Sequence, residues 1–80
     1  MPTAQERYFG MLMERVSEDR YPSHQLLDRI EASIWRPDQL VAYVEMLLEK
    51  ADEAWYPSLQ LLDRAERMMA LAAAISRRAA

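Results

Sequence analysis

The chain holds one histidine, His24, with Asp28 four positions on and Glu31 seven on. On a helix this spacing sets an imidazole and two carboxylates along one edge. Such an edge can hold a divalent ion, or let a carboxylate orient the imidazole for proton transfer. The surrounding sequence withholds support. Asp28 and Glu31 recur as Asp63 and Glu66, where Leu59 stands in place of the histidine, so the carboxylates do not require it. Cysteine is absent, and one histidine cannot supply the nitrogen and sulfur ligands of a structural zinc site. There is no Gly-rich phosphate loop, no nucleophile beside a base, and no Glu-x-x-His pair of the di-iron bundle type. The expectation is a solvent-facing His24 in a first helical turn, with no catalytic residue, metal or cofactor.

Two further groups could bind rather than react. Asp28-Arg29-x-Glu31 and Asp63-Arg64-x-Glu66 could be the halves of a symmetric site. A solvated helix face is the simpler reading, each exposed ion pair being worth under about 1 kcal/mol. Trp35 and Trp55 stand near expected helix ends, where an indole buries its ring and keeps its N–H wet. Trp55-Tyr56 beside Asp52 and Glu53 could also offer an acidic aromatic ledge to a basic peptide.

Bulk properties narrow the class. Eighty residues, 51% apolar and with a single glycine, make one folded domain. A chain of this size buries roughly 60% of its unfolded surface, so its core is small. The N-terminal MPTAQERYFG lacks a basic region followed by an apolar run, and no apolar stretch approaches the roughly 18 residues of a membrane span. A soluble, cytoplasmic protein is expected. The formal net charge of −3 works against nucleic acid, whose binding depends on cationic contacts to phosphate. Nine arginines against one lysine, with many alanines, suggest a high-GC bacterial source.

The elements that position these residues are written twice. YPSHQLLDRIE at 21–31 returns as YPSLQLLDRAE at 56–66. Sliding the chain by 35 aligns 1–35 on 36–70 without a gap, and fifteen positions are identical where composition alone gives roughly two or three. All four prolines and all four tyrosines pair. Each unit reads as helix, break, helix, with no alternating strand pattern. Thr3 and Asp38 are the expected caps of the first helices, and Ser23 and Ser58 of the second. Tyr21-Pro22 and Tyr56-Pro57 are the breaks, because a residue before proline is pushed out of the helical region. Tyr8, Leu12 and Val16, flanked by Phe9 and Met11, predict a core stripe. In the second unit the stripe is Tyr43, Leu47 and Ala51, beside Leu40, Val44 and Met46. Leu26, Leu27, Ile30 and Ile34 predict the core face of the following helix, matched by Leu61, Leu62, Ala65 and Met69.

Four helices are therefore predicted near 4–18, 23–35, 38–53 and 58–77. The expected fold is an all-α, compact four-helix domain of two tandem 35-residue helix-turn-helix hairpins with pseudo-two-fold symmetry. Its units are 1–35 and 36–70, with an extension at 71–80. The period is similar to that of the tetratricopeptide repeat, but that family's small residues at the inter-helix contact are missing, and two units are too few for a solenoid.

The two halves differ in apolar surface. Leu40, Val41 and Leu48 stand where the first unit has Gln5, Glu6 and Met13. Met68, Leu71 and Ile75 form a second stripe, about 100° round the last helix from Leu62, Ala65 and Met69. Leu40, Val41, Leu48, Trp55, Tyr56, Met68, Leu71 and Ile75 are the candidate interface. The expected function is a non-catalytic interaction module that dimerises or docks a partner helix. The alternative is a nucleic-acid-binding regulator using Arg64, Arg67, Arg77 and Arg78 of the last helix.

Overall fold

A computed structural model describes residues 2–53 and 59–79. The described residues form four α-helices and no strand. The chain divides into two compact units, Met1–Trp35 and Arg36–Ala80.

The first unit packs α1 (Ala4–Glu18) on α2 (His24–Ser33). Thr3 is extended and its hydroxyl accepts the N–H of Glu6 at 3.1 Å, satisfying one of the orphan donors of the first turn. Ser23 caps α2 in the same way, accepting the N–H of Leu26 at 3.1 Å. Between them the Asp19 carboxylate accepts the N–H of Tyr21 at 3.3 Å, an Asx turn that leads the chain toward Pro22. Phe9, Leu12, Val16, Leu27 and Ile30 are buried. Full burial of a side chain such as Leu27 or Ile30 contributes about 1.5–3 kcal/mol.

The second unit packs α3 (Pro37–Glu53) on α4 (Leu59–Ala79). The cap expected at Asp38 is not formed there. Pro37 is itself the first helical residue, where its fixed φ suits the helix and its missing N–H costs nothing. The cap position falls on Arg36, whose carbonyl accepts the N–H groups of Gln39 and Leu40 at 3.1 and 3.2 Å. The Gln39 side chain reaches back to accept the Arg36 N–H at 3.3 Å, half of a capping box. Asp38 lies in the first turn instead, its two oxygens bonded by Nε and Nη2 of Arg36 at 2.9 and 2.7 Å. The cap expected at Ser58 lies outside the described residues.

Two helix ends follow one rule. α1 ends at Glu18 and α2 at Ser33, each four residues before a proline, Pro22 and Pro37. Proline has no N–H for the carbonyl four residues back, and its ring collides with that carbonyl. The end of α2 predicted at 35 therefore falls at Ser33, where the Ser33 hydroxyl donates to the Ile30 carbonyl at 2.8 Å. Ile34 is left beyond the helix and half-buried. α4 spans 21 residues against 10 in α2.

Burial departs from the repeat. Phe9 and Val44, Leu12 and Leu47, and Ile30 and Ala65 are equivalent by the 35-residue shift, and all six are buried. Tyr8 is 41% exposed, whereas its equivalent Tyr43 is fully buried. Met11 is exposed and Met46 buried. The core line of α1 thus runs through Phe9, Leu12 and Val16 rather than Tyr8, and that of α4 through Leu61, Ala65 and Met68 rather than Met69.

Candidate functional site

The eight candidate interface residues separate into three groups. Leu40 and Met68 are buried, so they are not surface contacts. Leu40 joins the arc of α3 that also buries Tyr43, Val44 and Leu47. Met68 lies three residues after Ala65 and seven after Leu61, on the buried line of α4. Trp55 and Tyr56 lie outside the described residues. Val41, Leu48, Leu71 and Ile75 remain exposed, at 50%, 43%, 47% and 37%.

These four residues make two edges. On α3, Val41 and Leu48 are seven residues apart, within about 20° of each other around the axis at 100° per residue. On α4, Leu71 and Ile75 are four apart, within about 40°. The edges differ in charge. Asp38, Glu45, Glu49 and Asp52 are exposed on α3 and fall within about 100° of the Val41–Leu48 line, an arc with no lysine or arginine. Arg64, Arg67 and Arg78 fall within about 60° of the Leu71–Ile75 line on α4, an arc with no carboxylate; the exposed Asp63 lies further round, about 80° from Leu71. Sequence reasoning found the apolar stripe of α4 but missed this sorting of charge. The helical wheel of α3 alone would have shown it.

The other candidates are dispersed. His24, Asp28 and Arg29 are exposed, and Glu31 is half-buried on α2. No group of three or more histidines and carboxylates suited to a metal ion exists among the described residues. Asp63 and Glu66 are exposed and Arg64 half-buried. Trp35 is half exposed beyond the end of α2.

An open groove of about 330 Å³ lies in the first unit, lined by Gln5 and Tyr8 near the start of α1 and by Arg29, Ala32 and Ser33 near the end of α2. It opens where the short α2 stops, which also leaves Tyr8 uncovered. Its lining is one cation among neutral groups. That suits a passing carboxylate, without the enclosure that small-molecule sites use.

Comparison with protein-family models, with curated proteins and with solved structures yields no match.

Proposed function

We propose that the chain is a small non-catalytic interaction module, a bacterial cytoplasmic regulator or accessory subunit that assembles through its second unit. The observation that carries this is the pair of exposed apolar edges, Val41–Leu48 on α3 and Leu71–Ile75 on α4. Scattered exposed side chains are ordinary on a small protein, but aligned ones at helical spacing are the usual form of a helix-docking face. Descent by tandem duplication with pseudo-two-fold symmetry accompanies it, supported by the fifteen identities at a shift of 35. The second unit then acquired the longer α4 and the apolar substitutions Val41 and Leu48.

Leu71→Glu with Ile75→Glu tests the proposal. The side chains are about half and a third exposed, so helicity should persist with a modest fall in thermal stability while assembly is lost. Light scattering on a sizing column reads the assembly and circular dichroism the fold. Unchanged mass and unchanged partner capture by a folded double variant would exclude the α4 edge as a docking surface.

A second reading, nucleic-acid binding by α4, draws on Arg64, Arg67 and Arg78 along one carboxylate-free arc. The net charge of −3 and the acidic face of α3 oppose it.

A further inference from the structure

We propose that the occupant of the α3 edge is the α4 edge of a second copy of this chain. The proposal rests on the docking surfaces above and names their partner. Each edge is an apolar pair bordered mainly by one sign of charge, and the signs are opposite: carboxylates beside Val41 and Leu48, with Arg36 held on Asp38, and arginines beside Leu71 and Ile75, with Asp63 at the margin.

The order of residues matches when the helices run antiparallel. Asp38 precedes Val41 by three residues and Asp52 follows Leu48 by four; Arg78 follows Ile75 by three and Arg67 precedes Leu71 by four. At 1.5 Å per residue these flanking steps are about 4.5 Å and about 6 Å on both helices. The apolar pairs differ, about 10.5 Å on α3 against about 6 Å on α4, with Glu45 inside the longer interval. Arginine side chains are long enough to span that difference. Asp38 already shares its charge with Arg36, so Glu45, Glu49 and Asp52 supply most of the field on α3.

Like pairings are disfavoured. α3 on α3 would set carboxylates against carboxylates, and α4 on α4 arginines against arginines. A foreign acidic helix would suit α4 alone, and a foreign basic helix α3 alone. A second copy offers each edge the opposite charge.

The test reverses each edge separately. One variant carries Glu45→Arg and Asp52→Arg, the other Arg67→Glu and Arg78→Glu, with circular dichroism confirming that both remain helical. Sedimentation of the full chain, across a tenfold dilution, reads association. Self-association of the parent, weakened at least about tenfold in each variant and restored in their equimolar mixture, supports the pairing. Restoration is expected because the mixture sets a chain with arginines added to its α3 edge against one with carboxylates added to its α4 edge, so both contacts regain opposite charge. A variant that associates as the parent does, or a mixture that stays monomeric, overturns it. If the reversed α3 edge leaves assembly intact while Leu71→Glu with Ile75→Glu abolishes it, the docking surface stands and the α3-on-α4 pairing falls. A parent chain monomeric throughout also overturns the pairing, leaving both edges to a different protein.

Discussion

Asp38 illustrates what a single side chain does when a neighbour takes over its expected role. The cap position falls on Arg36, two residues ahead of Asp38, so Asp38 becomes a first-turn carboxylate gripped on both oxygens. The hydrogen bonds from Arg36 are the main cause of its lowered pKa, and its charge also suits a helix N-terminus. A carboxyl with a lowered folded-state pKa stabilises the fold above its ordinary value of 3.8, and that contribution is lost as pH falls through the folded value. Asp38→Asn is therefore expected to lower the melting temperature slightly near pH 7. Thermal melts of the two proteins should converge toward pH 2, and a constant gap would show that the Arg36 grip is not the cause. Residue burial is where sequence reasoning fell short. Tyr8 and Tyr43 are the same letter in the same repeat position, yet one is exposed and the other buried. The cause lies in their neighbours: α2 stops before covering Tyr8, and α3 carries Leu40 where α1 has Gln5.

At the scale of elements, starts and stops are set by local chemistry. Thr3 and Ser23 cap as their types predict, and prolines end α1 and α2 four residues upstream. The starts of α1 and α2 and the end of α1 were legible because each depends on a few residues in sequence, whereas the α3 start and the α2 end shifted with Pro37. Within α1, Gly10 is a weak point: it lies mid-helix and a Cβ there would meet nothing within 4 Å. Its repeat equivalent is Glu45, exposed on α3. Gly10→Ala removes backbone freedom from the unfolded chain and is expected to raise stability by about 0.5–1 kcal/mol. Chemical denaturation would show this as a higher midpoint with an unchanged slope. A lower midpoint would mean that the exposed face of α1 is covered in solution.

At the scale of the whole molecule, charge is sorted between elements. α3 carries five carboxylates and one lysine, whereas α4 carries four arginines and two carboxylates. On the pairing proposed above this division serves a second copy, and the net charge of −3 leaves little attraction for polyanions. Retention on heparin is therefore expected to be weak even at low salt; strong retention that falls steeply with salt would favour the nucleic-acid reading. By itself the sequence determined the helix count, the starts of α1 and α2, and the prolines beyond which those helices do not continue. These are short-range matters of donors, acceptors and fixed dihedrals. Tertiary structure decided how each apolar residue is used. Leu40 and Met68 went to the interior, while Val41, Leu48, Leu71 and Ile75 stayed at the surface. A helix with apolar residues around more than one face can be rolled in several ways. Which roll prevails depends on the length and breadth of the helix packed against it, and no spacing within one segment contains that information.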